Sequence, residues 1–303
     1  MAIAQTVPLH QTRCVVVWLI IATGILLLPN DSHAGEPAPD AVVAQDRVSE
    51  ILEALVENQE KAIAARNAWV FRQRTFVRLL RSNGELAREQ AREFDVRPMP
   101  DGIEREQTAF EGKVAIGKEI YPYADPTYRT GEIDLDGEIA ESFAEDVLFH
   151  KESRDSLSDE FFPISRTMLA RHDFRLAGEE VYRERPVYHL TFRPAKKSGD
   201  TERGDWKGEV LVDAESFQPV LVITQQARGV PFAVRTLLGS NVKQFGFKLE
   251  YAEVEDGLWF PKRYSGEFSL RVLFGYSRRI ALSVENFEFQ KATAESTIRF
   301  AGP

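Results

Sequence analysis

Two hydrophobic periods divide the chain. From Ala41 onward, Val48, Ile51, Leu52, Leu55, Val56 and Ile63 recur at steps of three and four with Glu, Gln and Lys between them. That spacing gathers one apolar stripe, and so predicts an amphipathic helix that ends near Asn67. Beyond Asn67 the period drops to two, and Asn83-Gly84, Asp101-Gly102 and Asp256-Gly257 stand between extended runs as hairpin turns. The clearest alternations come late. Phe245, Phe247, Leu249 and Tyr251 are apolar at odd positions, with Gln244, Lys248 and Glu250 between them. Phe268, Leu270, Val272, Phe274 and Tyr276 are apolar at even positions, with Ser269 and Arg271 between them. Each run has one dry face and one wet face, as antiparallel strands solvated on one side do.

The stretch from about Lys113 to Ala170 breaks this rhythm. It is acidic and turn-rich, with short helical patterns around Glu138–Phe149 and Glu160–Arg171, and reads as a lid-like insertion. Strands resume at Asp173 and continue to about Gln290. No fixed-period repeat is present, which argues against a propeller or solenoid. One helix, many long meandering strands and a helical interruption predict an α+β fold. Its expected form is a strongly curved antiparallel sheet, an incomplete barrel, wrapped around the N-terminal helix and short lid helices. Residues 41–303 are expected to form a single domain with the insertion at about 113–170.

Ahead of that domain, Arg13 precedes an uncharged apolar run from Val15 to Leu28, and Pro29-Asn30 then leads to Ser32-His33-Ala34. The run falls short of the ~20 residues a spanning helix needs but suits a signal core, with small residues where a signal peptidase reads. Residues 1–34 are therefore expected to be a cleaved signal peptide, cut after Ala34, and 35–40 a flexible lead-in. The expected location is the periplasm. Cys14 is the one cysteine, so the exported part has no thiol for a disulfide, a cluster or a nucleophile.

Composition narrows the function classes. With 43% apolar and 28% charged residues the chain is globular, and its net charge of −9 argues against a nucleic-acid partner, which needs a basic surface. His150, His172 and His189 follow the signal, and no His-x-x-x-His pair occurs. His189 sits within the pattern Val187–Arg193 as a strand-face histidine. Gly112–Lys118 has the spacing of a phosphate loop, yet Glu119 stands where the magnesium hydroxyl belongs, so the segment reads as a hairpin turn. Asp134-Leu135-Asp136-Gly137 lacks the remaining ligands of a calcium loop, and no Gly-x-Ser-x-Gly elbow occurs. No nucleophile, base and orienter set is legible. The reading is a non-enzyme with no cofactor and no metal. Arg72, Arg74 and Arg78 are expected to pair across strands with Glu85, Glu89 and Glu93, or else to form a docking patch for an anionic partner.

Several segments together resemble one family. They are Asn67-Ala68-Trp69-Val70-Phe71 after the helix, Gly178–Val181 leading to Arg185–Leu190, Trp206–Asp213 and Asp256–Pro261. In these the chain is similar to outer-membrane lipoprotein-sorting (LolA/LolB-like) proteins over nearly its whole exported length. The resemblance implies an incomplete barrel closed by helices, whose apolar interior receives acyl chains of a lipid or lipoprotein. It also implies a membrane-bound donor, acceptor or transporter as partner. On this reading the cavity is lined by Trp69, Phe71, Phe245, Phe247, Leu249, Phe268, Leu270, Val272 and Phe274. The alternative is an envelope sensor or interaction module on the same scaffold, its interior filled by side chains and its partner a membrane regulator or transporter.

Overall fold

A computed structural model describes residues 39–99, 102–143, 164–195, 205–228, 242–243, 246–271 and 276–292. The proposed signal, most of the lead-in, and Phe245, Val272 and Phe274 lie outside the described residues. Helix α1 (Pro39–Arg66) opens the fold. It starts two residues inside the expected lead-in, with Pro39 at a first-turn position where its missing N–H costs nothing. Val48, Ile51, Leu55 and Val56 are buried as the stripe requires, whereas Ile63 is exposed. The helix's last turn is instead held by Arg66, whose Nε donates to the carbonyl of Trp259 at 2.7 Å. Among the described residues no helix is long and apolar enough to cross a membrane.

Four strands follow as a meander: β1 (Trp69–Leu80), β2 (Leu86–Met99), β3 (Gly102–Ile116) and β4 (Glu119–Tyr123). Two short helices come next, α2 (Leu135–Ser142) and α3 (Arg166–Leu169). A second meander runs through β5 (His172–Tyr182), β6 (Arg185–Pro194), β7 (Asp205–Asp213), β8 (Pro219–Arg228), the short β9 (Val242–Lys243), β10 (Gly246–Glu255), β11 (Leu258–Arg271) and β12 (Ser277–Lys291). The expected insertion therefore starts as sheet: residues 113–123 belong to β3 and β4, and the Gly112–Lys118 motif carries the turn between them, with Gly117 at φ +65°.

All pairings are antiparallel and form one sheet in the order β4-β3-β2-β1-β12-β11-β10-β8-β7-β6-β5, with β9 against β11. Pairing of β1 with β12 splices the two meanders, so β4 and β5 are the free edges. The sheet does not close, and the chain between β4 and β5, which carries α2 and α3, links its two open margins. Curvature has visible causes. Register shifts interrupt most ladders, for example between Glu93 and Phe94 and between Glu250 and Tyr251, and such bulges bend and twist a strand. At Gly208 a Cβ would fall 1.8 Å from the carbonyl oxygen of Ile223, so the two backbones approach where only glycine fits.

One face of the sheet is dry. Leu190, Val210, Val222, Phe247, Leu249, Phe268 and Ile280 are among its buried residues, packed with Ile51 and Leu55 of α1 and with Ala140 and Phe143 in and after α2. The opposite face carries the charges. Arg72 and Arg74 meet Glu93, and Arg78 meets Glu89, as the alternation predicts. Glu85 departs from that pattern and pairs with Arg81.

Candidate functional site

The inner face of the half-barrel is where the sequence places a binding site, and the fold brings part of the expected set together. Phe247 and Leu249 on β10 and Phe268 and Leu270 on β11 point to the same side and join the main core, each at 1–2% exposure. Phe247 stacks on Tyr264 at 5.0 Å between ring centroids and lies 6.1 Å from Trp206. Gly266 makes room for that ring, because a Cβ there would lie 2.7 Å from it. Phe268 is covered by Phe143 at 4.9 Å. Trp69 and Phe71 do not join this group. They form a second cluster with Phe94, Val96 and Phe260, in which Trp69 meets the Phe260 ring edge-on at 5.9 Å.

Between the two clusters runs a buried polar band that sequence reasoning missed. Gln73, Thr75, Arg88, Gln90, Arg92 and Asn286 are all buried. Gln73 donates to the Asn286 amide oxygen at 2.9 Å, and Asn286 donates to the carbonyl of Pro261 at 2.8 Å. Arg88 donates to the Tyr123 hydroxyl at 2.8 Å and forms a buried ion pair with Asp134. The signal was present in β2. Phe94 and Val96 mark even positions as the dry face, and Arg88, Gln90 and Arg92 occupy even positions of the same strand.

Helix α2 lies over this wall, and charge holds its start. Asp134 caps it, accepting from the Gly137 N–H at 2.9 Å. Burial alone would raise the Asp134 carboxyl, but the N–H groups of Thr130 and Gly137 and the Arg88 guanidinium together set it below the usual range. Asp136 accepts from Arg278 through both oxygens, at 2.7 and 2.9 Å, and from the Tyr276 hydroxyl at 2.6 Å. The short helix thus carries a sticky polar start and, at its far end, an apolar plug in Phe143.

The rest of the surface is plainer. His189 faces Glu209 at 3.2 Å and Glu180 at 3.8 Å on the wet side. Among the described residues no group of His, Cys, Asp or Glu is placed to hold a metal ion. A cleft of about 870 Å³ opens on the wet face, along the register row Phe76, Ser283, Ser265, Lys248 and Ile223. Of the expected lining, Phe247 borders it, while Leu249, Phe268 and Leu270 do not.

No family model matches the chain, and no curated protein does. Among solved structures the fold is similar to that of an outer membrane lipoprotein-sorting protein domain from Vibrio parahaemolyticus. The match has 12% identity and a TM-score of 0.35, over 81% of this chain and 95% of that one. A DUF1329 family protein from Desulfovibrio piger is similar at 10% identity and a TM-score of 0.34, over 82% and 95% of the two chains. A LolA superfamily protein from Nitrosomonas europaea is similar at 12% identity and a TM-score of 0.30, over 78% and 94%.

Proposed function

We propose that the protein is an exported, periplasmic, non-enzymatic binder of lipid or lipoprotein acyl chains, working by reversible burial against the inner face of its open sheet. The observation that supports this most is topological. A broad apolar wall is covered by helices, by α1 over β11 and β5 and by α2 on the β1–β2 side, where α2 belongs to the segment joining the two free edges, and among the described residues no second sheet lies on it. Such a cover can be displaced without unpairing a strand. Burial is worth about 0.8 kcal/mol per methylene, so a 16-carbon chain left in water costs on the order of 10 kcal/mol, which a carrier must offset with apolar surface. On this reading Phe247, Leu249, Phe268 and Leu270 form the main lining, and Phe143 occupies acyl space when the protein is empty. Trp69 and Phe71 serve the smaller cluster, while Phe245, Val272 and Phe274 belong to the proposed lining by sequence alternation alone.

One observation favours the second reading, a sensor or interaction module with a membrane regulator or transporter as partner: those four side chains are already packed. A single preparation separates the two. Protein purified from the envelope is extracted with organic solvent for mass spectrometry, and its uptake of a fluorescent acyl probe is titrated. The carrier reading expects co-purified lipid and saturable uptake. Absence of both, with a membrane protein recovered by cross-linking, would replace it with the module.

A further inference from the structure

Two cavities meet at the free β5 edge. One, of about 280 Å³, opens on the dry side between α1, α3 and β5 and is bordered by Val48, Leu52, Leu169 and Phe174. Val48 and Phe174 belong to the main core, and Leu52 and Leu169 pack against it, so this cavity reaches the apolar wall from outside without unpairing a strand. The other, of about 390 Å³, is a groove on the wet side bordered by Thr191, Lys207 and Gln225. Asp173, Arg175 and Arg193 border both, so the two are joined around the edge strand.

Charge at this margin is out of balance. On β1–β2 and β11–β12 the wet face pairs its arginines, Arg78 with Glu89 at 2.7 Å and Arg263 with Glu285 at 3.1 Å. Here Arg193 and Lys207 stand side by side across β6 and β7, at the same end of the register pair Phe192–Gly208. Arg175 is two positions along β5 from Asp173, the register partner of Arg193. Like charges on adjacent strands repel. The carboxylates bordering the groove do not answer all three cations: Asp173 lies 3.7 Å from Arg193, and Glu209 lies 3.2 Å from His189. Among the described residues Arg175 and Lys207 have no ion-pair partner. Their backbones stand about 12 Å apart, two strands over and two residues along, a gap that two long side chains can close on one anion. Their register partners Thr191 and Gln225 add a hydroxyl and an amide as further donors. An anion held between them would relieve the repulsion, and guanidinium with ammonium supplies the donors that a carboxylate or phosphate takes.

We propose, resting on the acyl-binding reading, that the ligand is loaded at the β5 edge: its hydrocarbon passes between α1 and α3 to the dry wall, and its head, a carboxylate or phosphate, stays at the wet margin with Arg175 and Lys207. A head held there keeps much of its hydration, so only the tail is desolvated. The test displaces a fluorescent acyl probe from the purified protein with dodecanoate, dodecyl phosphate and dodecanol, three heads on one tail. At least one anion is expected to bind about threefold or more tightly than the alcohol, the scale of exposed charge pairs, and the better anion tells carboxylate from phosphate. Joint replacement by Arg175→Gln and Lys207→Gln, at exposed positions, should abolish that preference and leave dodecanol unchanged. Arg263→Gln, on the same face and outside both cavities, should leave the preference intact; a loss there as well would mean a diffuse field in place of a site, and overturns the proposal. Dodecanoate carrying a diazirine beside its carboxylate should cross-link to peptides of α1, α3 or β5. Equal binding of alcohol and both anions, a preference that survives the double variant, or cross-links found only elsewhere would each overturn the proposal and leave acyl binding standing. No binding of any of the three removes the acyl-binding reading and this inference with it.

Discussion

At the scale of single residues, Tyr123 and Gly112 explain each other. They are register partners, and a Cβ on Gly112 would fall 2.2 to 2.5 Å from the tyrosine ring. The ring cannot swing aside freely, because its hydroxyl accepts from Arg88 at 2.8 Å and Gln90 at 2.9 Å and its faces meet Phe110 and Tyr128. Gly112→Ala is therefore expected to destabilise the protein by about 1 to 3 kcal/mol, as overpacking does, read as a lower urea midpoint. Gly117→Ala is the comparison: nothing lies near its Cβ, so only the positive φ is strained, at about 1 to 2 kcal/mol. None of this was legible in the sequence. Gly112 reads there as part of a turn, and its use as floor space for a ring depends on β4, which composition assigns to the insertion. Arg183 and Glu184 hid in the same way. They form the β5–β6 turn with φ values of 50° and 67°, without the glycine or asparagine that normally announces such a turn. Replacing Glu184 with Gly is expected to relieve that backbone and raise the thermal midpoint by a few degrees.

At the scale of elements, strands β10 and β11 were legible because each has one wet face, so alternation in sequence maps directly onto burial. Strand β2 shows the limit of that rule. Its dry face carries arginine and glutamine, and hydropathy alone assigns such positions to solvent. Helix α2 is short, and its position depends on ion pairs with β2 and β12, which no local pattern foretells. The Asp134 contact makes its docking pH-dependent. Asp134 titrates below the usual aspartate value near 3.9, so its stabilisation is complete above about pH 4 and is lost as pH falls through the lower folded value. Asp134→Asn should cost about 3 kcal/mol at pH 7, because it leaves Arg88 buried beside a neutral group. The gap between the urea midpoints of the variant and the unaltered protein should narrow as pH falls through the lowered folded value, where the native carboxyl takes up its proton as well. A gap that stays constant with pH would mean that the ion pair does not set α2.

At the scale of the whole molecule, the sequence supports an open curved sheet because strand count, turn spacing and a single leading helix constrain the class. The splice of β1 to β12 is not among the things it can say, since pairing over two hundred residues of separation leaves no local trace. That splice is what the carrier reading draws on. It leaves β4 and β5 as margins and places the α2 segment between them, so the covering element is also the one that can move without breaking the sheet. Phe143 is the residue through which the two readings part. Buried against Phe268, its replacement by Ala should cost about 3 kcal/mol or more, from lost transfer energy and the void left behind. In a carrier that void is acyl space already vacated, so Phe143→Ala should bind the probe more tightly than the unaltered protein. Added dodecyl chains should then recover part of the lost stability, in proportion to the logarithm of their concentration over the dissociation constant. In a filled module the void has no route from solvent, and the same variant should lose stability with no recovery on adding the chain. Thermal melts of both proteins across a ligand titration measure the two terms together: tighter binding joined to lower intrinsic stability is the signature of a plug that competes with cargo.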